Sequence, residues 1–415
     1  MQTPLLFSRR PSQPSVQKCH HSTETALIKV LNDIRLNLDT GKATVLVLLD
    51  LSAAFDTVDH SILLHRLEHW VGLSGTVLGW LKSYLEGRQF YVSIGNWSSP
   101  PTPLHCGVPQ GSILGPLLFN LYMLPLGLVI RQRRISYHSY ADDTQLYFSL
   151  SPNDLSPLDT LICCVEDVKN WMSTNFLQLN NEKTEIIVFG KKDLRDRISS
   201  KLTCSGYLVK TTVKNLGVQL DSELSFNSHI KAITKSSYYH LKHISKYKNF
   251  MSQDDLEKRI HAFVSSRLDY CNGLLTGLPK KTIRQLQLIQ NAAARILMRA
   301  KRTDHITPLL KHLHWLPVQF RIDFKILLLV FKSLNGTGPV YLKDLLQHYT
   351  PTRSLRSQER VLLIPPITRT KQGEAAFSSY AVKVWNCLPE YTKTAPTTSC
   401  FKSRLKTHLF SLAYA

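Results

Sequence analysis

Three acidic residues stand where their neighbours give them little reason to be. Asp50 closes the apolar run VLVLL (Val45–Leu49). Asp142 and Asp143 sit together between two apolar stretches, ISYHSY and TQLYFSL. Adjacent carboxylates repel unless water or cations hold them. If the runs pair as strands, Asp50 and Asp142 meet at one end of a sheet. Oxygen ligands there suit two hard divalent cations about 3.5–4 Å apart. Such a pair supports in-line phosphoryl chemistry, one ion activating a hydroxyl and the other stabilising the leaving group. A plainer reading stays open: Asp50 as a helix cap and Asp142–Asp143 as a solvated turn.

The surrounding pattern supplies elements that place these residues. Ser22 or Thr23 caps a helix with apolar positions at Ala26, Leu27, Val30, Leu31, Ile34 and Leu38, ended by Gly41. Val45–Leu49 is a continuous apolar run, as a strand buried on both faces requires. From Ser52 the pattern turns helical through His60, Leu64 and Leu67. Gln89–Ile94 predicts a strand, with Gly95-Asn96 as its turn. Residues 107–116 form a Gly/Pro-rich loop that feeds a helix from Leu117 to about Leu124. ISYHSY and TQLYFSL predict a hairpin with the acids at its turn. A helix over Leu161–Asn175 and a strand over Glu185–Phe189 follow. The charged residues 191–210 predict a loop or linker. Leu216–Asp221 predicts a short strand, and the chain beyond it is mostly helical, including Ile283–Leu297, with a break at Asn335–Pro339.

Composition bounds the class. The 415 residues, 43% of them hydrophobic, can bury a sizeable core, which excludes a disordered chain. Net charge is +21, and it is unevenly spread. Residues 1–230 carry 21 Lys+Arg against 20 Asp+Glu, whereas residues 231–415 carry 30 against 10. A polyanion held by the later part accounts for this asymmetry, and so does a solvated basic surface. The eight cysteines form no C-x-x-C pair and fit no zinc spacing. No secretory leader is read at the start, so the expected compartment is intracellular, nucleus and/or cytoplasm, with reduced thiols. The apolar run Ile326–Phe331 falls far short of the roughly 20 residues a membrane span needs, so no membrane partner is expected.

Three segments carry a resemblance. VLLDLSAAFDTVDH (Val47–His60), GVPQGSILGPLLFNLY (Gly107–Tyr122) and YADDTQLYF (Tyr140–Phe148) resemble reverse-transcriptase motifs A, B and C, in that order. NNEKTEIIVFG (Asn180–Gly190) resembles motif D, and NLGVQLDSELSFNSHI (Asn215–Ile230) motif E and its continuation. The YADD form with P-Q-G-S-x-L-G-P is similar to non-LTR (LINE-type) retrotransposons. Arg267–Leu297 and His314–Gly336 extend the likeness, closest to vertebrate chicken-repeat-type elements. The resemblance implies an α+β right-hand polymerase palm with partial fingers, a helical thumb and a basic C-terminal extension. It implies an RNA-directed DNA polymerase taking an RNA template, a DNA primer and deoxynucleoside triphosphates, with two Mg2+ ions (or Mn2+) as cofactor. Asp50, Asp142 and Asp143 are then the catalytic, metal-holding acids. Lys183 is a proton donor to pyrophosphate. Phe55 is a steric gate against a 2′-hydroxyl, Gln110 and Gly111 lie near the nucleotide, and Leu216 and Gly217 form the primer grip.

The expected organisation is an irregular start at 1–22, a palm with partial fingers at 23–230, a helical thumb-like region at 231–335 and an extension at 336–415. Arg284, Arg295 and Arg299 are read as a nucleic-acid-binding face opposite the apolar stripe of the helix from Ile283. About forty-nine residues precede Asp50. HHSTETAL (His20–Leu27) resembles the end of the fingers region, and the Gln-x-Gly-Phe-Arg pattern expected before it is reduced to Gln17-Lys18-Cys19. A shortened N-terminus is therefore expected. Rival readings are a non-catalytic nucleic-acid-binding remnant and a structural protein that kept the fold.

Overall fold

A computed structural model describes residues 21–180, 182–349 and 361–415. Expectations for residues 1–20, the reduced Gln17-Lys18-Cys19 among them, lie outside the described residues. The chain divides into two compact units. The first holds Val45–Ile186; the second holds the described part of Cys19–Thr44 together with that of Ile187–Ala415.

The first unit is built around strand β1 (Ala43–Leu49), whose residues from Val45 onward belong to it. Val45, Leu46 and Val47 are fully buried, which a strand covered on both faces requires. The strand Asp143–Leu150 lies on one side of β1, with Ser136–Tyr140 beyond it; the strand Glu185–Phe189 begins on the other side. The expected hairpin forms, in a register that pairs Tyr140 with Asp143 and Ser136 with Tyr147. The helix from Gly115 to Tyr122 and the helix from Pro157 to Thr174 appear close to where periodicity puts them. The helical pattern expected from Ser52 begins only at His60, because Asp59 caps the helix there by accepting from the Ile62 N–H at 2.8 Å. Gln89–Ile94 is no continuous strand: it breaks into Gln89–Phe90 and Ser93–Ile94, all four residues exposed.

One buried side chain ties this unit together. Arg66 donates to the Tyr122 carbonyl and to Asn175 Oδ1. Its guanidinium also lies 4.3 Å from the centre of the Tyr122 ring and 5.3 Å from that of Trp171. Three helices are thereby fixed to one planar cation, whose fork and flat face both find partners.

In the second unit, helix α1 (Thr23–Asp39) starts at a capping box between Ser22 and Thr25 and stops before Gly41, at φ +77°. Residues 192–204 are a helix, not the expected linker. The charges misled: Leu194, Ile198 and Leu202 recur every fourth residue and are all buried. Burying each contributes about 1.5–3 kcal/mol, which outweighs the polar composition of the rest. Thr212–Asn215 and Val218–Asp221 form a hairpin whose two-residue turn is Leu216-Gly217, at φ +44° and +84°. Long helices follow at Asn227–Tyr247, Lys280–Leu297, Val318–Leu334 and Thr398–Tyr414.

Helix α1 groups with the described part of residues 187–415, and the segment after 336 packs within that same unit. Phe401 stacks on Phe331 with centroids 4.1 Å apart, and Trp385 is 1% exposed. Among the described residues no helix is long and apolar enough to cross a membrane.

Candidate active site

Asp50 follows β1 directly. Its carbonyl accepts the Asn180 N–H at 2.9 Å, and the next two residues, Leu51 and Ser52, pair with Leu179 and Gln178. This short ladder fixes the backbone on which the carboxylate rides. Asp50 Oδ2 is buried and makes no hydrogen bond. Lys183 Nζ lies 3.4 Å from it, in ion-pair range without hydrogen-bond geometry, and its own side chain is two-thirds exposed. An exposed lysine contributes little to such a pair, and the buried oxygen is left without a hydrogen bond.

Asp142 and Asp143 are carried by the hairpin. Ala141, the first turn residue, sits at φ +53°, a left-handed conformation that costs a non-glycine residue about 1–2 kcal/mol. Asp143 is the first residue of its strand, and Thr144 and Gln145 behind it are buried. The Asp143 carboxyl is pushed up to about 6, first by burial, then by the negative charges of Asp142 and Asp50. The three acids read from sequence therefore share one electrostatic environment.

They do not close into a ready-made cage. Among the described residues no group of three His, Cys, Asp or Glu side chains could hold a metal ion by itself. Mg2+ keeps several waters and is bound through one or two carboxylates plus substrate phosphates. A buried carboxylate oxygen without a partner and a carboxyl strained by like charge fit such an ion.

The loop before the Gly115–Tyr122 helix is stitched to the turn after Asp50. The Val108 N–H donates to the Phe55 carbonyl at 2.8 Å, and Gly107 N–H to the Val58 carbonyl at 2.7 Å. His60 Nε2 lies 2.7 Å from the Gly107 carbonyl. A side chain at Gly107, at φ +89°, would press on the Asp56 backbone at 3.1 Å. Phe55 is half-buried, its ring 4.8 Å from that of buried Phe119. Gln110 is exposed and donates to Asp56 Oδ1 at 2.8 Å. Gly111, at φ +78°, faces open space. Asp56, Asn180 and Arg66 were missed in sequence. The legible signals were a second acid six residues after Asp50 and an arginine on the apolar side of a helix.

Leu216 and Gly217 lie in the second unit. The Leu216 carbonyl accepts from the Tyr270 hydroxyl at 2.7 Å, and a side chain at Gly217 would meet that phenol at 3.2 Å. Arg284 and Arg295 lie on the Lys280–Leu297 helix, and Arg299 does not. The helix ends at Leu297, leaving Arg299 beyond it at φ +50°. Arg299 donates to the Lys248 and Met251 carbonyls, and Arg295 to that of Asp304. Of the three, Arg284 stands exposed on the helix.

Residues 8–220 match the family described as reverse transcriptase (RNA-dependent DNA polymerase), just over half of the chain. The chain belongs to that family. It is 27% identical over 297 residues to the "Probable RNA-directed DNA polymerase from transposon BS" of Drosophila melanogaster, covering 67% of this chain and 31% of that protein. To the "RNA-directed DNA polymerase from mobile element jockey" of Drosophila melanogaster it is 27% identical over 226 residues, covering 53% and 24%. To the "Probable RNA-directed DNA polymerase from transposon X-element" of that fly it is 30% identical over 218 residues, covering 51% and 23%. The chain thus spans less than a third of the length of these relatives. A solved telomerase from Candida albicans overlays on 71% of the chain and 52% of its own, at TM-score 0.38 and 15% identity, which is a loose likeness only.

The shared environment of the acids has a measurable consequence. In metal-free protein the Asp143 carboxyl should titrate near 6, well above the ordinary aspartate range. Asp50→Asn removes one repelling charge and should lower that midpoint. Carboxyl carbon chemical shifts followed against pH read it directly; a midpoint unmoved by Asp50→Asn would place Asp50 outside the cluster.

Proposed function

We propose that this chain is the polymerase part of a LINE-type retroelement enzyme, adding deoxynucleotides to a DNA 3′-hydroxyl on an RNA template. The observation that carries the reading is the convergence of Asp50, Asp142 and Asp143, with a buried Asp50 oxygen left without a hydrogen bond. Divalent ions bound there would supply an activated hydroxyl and a stabilised pyrophosphate leaving group. Asp50 and Asp142 would hold them, and Asp143 would carry the third charge beside the primer terminus. Phe55, braced against Phe119, would lie under the incoming sugar and exclude a 2′-hydroxyl. Gln110 would be oriented by Asp56, and open space at Gly111 would admit the nucleotide. Lys183 would deliver a proton to pyrophosphate. Leu216 and Gly217 would support the primer through their turn. Closer kinship to vertebrate chicken-repeat-type elements belongs to the same proposal and rests on Arg267–Leu297 and His314–Gly336.

For holding nucleic acid, the Asn227–Tyr247 helix is a better candidate than the arginines near residue 295. It contains no acidic residue, and Lys231, Lys235, Lys242 and Lys246 are all exposed. Spacings of four, seven and four put these lysines within an arc of about 60° along roughly 22 Å of helix. A row of point charges on one face suits a phosphate backbone and reads no sequence.

Asp142→Asn should abolish primer extension with Mg2+ while leaving primer–template affinity nearly unchanged; extension at the wild-type rate would overturn the site assignment. In the same assay Phe55→Ala should raise ribonucleotide relative to deoxynucleotide incorporation, and an unchanged ratio would reduce Phe55 to a packing residue. Each phosphate left without its cationic partner lowers the slope of log K against log salt by about 0.7–0.9. Replacing the four lysines by Gln should therefore flatten the slope for an RNA–DNA hybrid by up to about 3. A wild-type slope in a filter-binding titration would remove this helix from the interface.

A further inference from the structure

The second unit contains a polar junction whose position bears on Asp50. One face of α1 presents Asn32, Arg35 and Asp39, spaced by three and four, and all three are buried. Each is engaged by the C-terminal segment 361–415. Asn32 Oδ1 accepts the Ser378 N–H at 2.9 Å. Arg35 donates to the Ala375 carbonyl, to Thr276 Oγ1 at 3.1 Å and to the Leu274 carbonyl at 3.2 Å. Asp39 accepts the Arg369 N–H at 2.9 Å and the Thr370 N–H and hydroxyl at 2.7 and 2.8 Å.

The fit at Asp39 leaves no room. A side chain on Gly373 would fall 2.4 Å from Asp39 Oδ1. Thr370 is shared: its hydroxyl donates to Asp39 and accepts the Gly373 N–H at 3.2 Å. Burial would raise the Asp39 pKa, yet the Arg369 and Thr370 donors hold it below the ordinary aspartate value. The segment is itself anchored within this unit, by the Phe331–Phe401 stack and by the Tyr380 hydroxyl, which donates to Asp323 at 2.6 Å.

The junction lies just before β1. Only Thr40, Gly41 and Lys42 separate Asp39 from Ala43. Asn37 Nδ2 donates to Thr44 Oγ1 at 3.2 Å, so the last turn of α1 grips the start of the strand. A side chain on Gly190 would meet Ala43 Cβ at 3.0 Å, so the strand start is pinned from its neighbour as well. β1 then runs without interruption to Leu49, and Asp50 is next. A strand buried on both faces cannot slip by one residue without turning every side chain over.

We propose that residues 361–415 brace α1, with Asp39 and Thr370 as positioning residues that fix β1 and, through it, the carboxylate of Asp50. The part played by Asp50 rests on the function proposed above; the brace itself does not. Hydrogen exchange on the full chain separates the two, comparing amides of residues 43–49 with those of 115–122 as an internal reference. Asp39→Ala and Thr370→Val should each speed exchange at 43–49 about tenfold or more while the reference stays unchanged. Thr370→Ser keeps the hydroxyl and should behave as wild type. Unchanged exchange at 43–49, or an equal rise in both regions, would overturn the brace. In primer extension, Asp39→Ala should lower kcat about ten- to a hundredfold with nucleotide KM and primer–template affinity unmoved. An unmoved kcat would refute the positioning role. A wild-type chain that extends no primer would sink the functional reading while the exchange result still decides the brace.

Discussion

Bringing three carboxylates to one end of a sheet costs free energy, and much of the first unit is arranged around that cost. Asp143 shows it directly, its carboxyl displaced to about 6 by burial and by its two acidic neighbours. A protein concerned only with its own stability would separate such groups or place a guanidinium among them. Here the nearest cation is an exposed lysine that fails to hydrogen-bond the buried Asp50 oxygen. The backbone adds strain at Ala141. Strain and like-charge repulsion persist where the surrounding structure over-determines them. The over-determination is visible in β1 buried on both faces, in the ladder from Leu51–Ser52 to Gln178–Leu179, and in buried Arg66 with its Tyr122 and Asn175 partners.

The chain divides its charge unevenly. Residues 1–230 carry 21 Lys+Arg against 20 Asp+Glu. The excess falls in residues 231–415. Part of the chain's positive charge is internal to the fold: Arg35, Arg295 and Arg299 donate to carbonyls of their own chain. The lysines of the Asn227–Tyr247 helix instead face solvent along one side. Net charge alone could not distinguish these uses.

What was legible in the sequence follows from range. β1, the hairpin around Asp142, the capped start of α1 and the strand at Glu185–Phe189 are set by local pattern, and each lies where periodicity and capping put it. Asp50, Asp142 and Asp143 stand out as acids interrupting apolar strands, and only the resemblance to motifs A and C gives them a catalytic reading. The failures have physical causes. Residues 192–204 hid a fourfold apolar repeat beneath many charges. Arg299 lies two residues past a helix end, and a periodic count does not register a boundary. The allegiance of α1 to residues 361–415 depends on hydrogen bonds spanning more than 300 positions, such as Asp39 to Thr370, for which a single sequence holds no signal.

The central claim is that the three acids gather divalent ions for nucleotide addition. Mn2+ binding followed by electron paramagnetic resonance tests it most directly, on the full chain with an RNA template, a chain-terminated DNA primer and the matching deoxynucleotide. The account predicts two ions per chain, magnetically coupled at a separation of about 3.5–4 Å, and loss of the coupled signal in Asp50→Asn. A single isolated ion, or a coupled pair that survives Asp50→Asn, would contradict it.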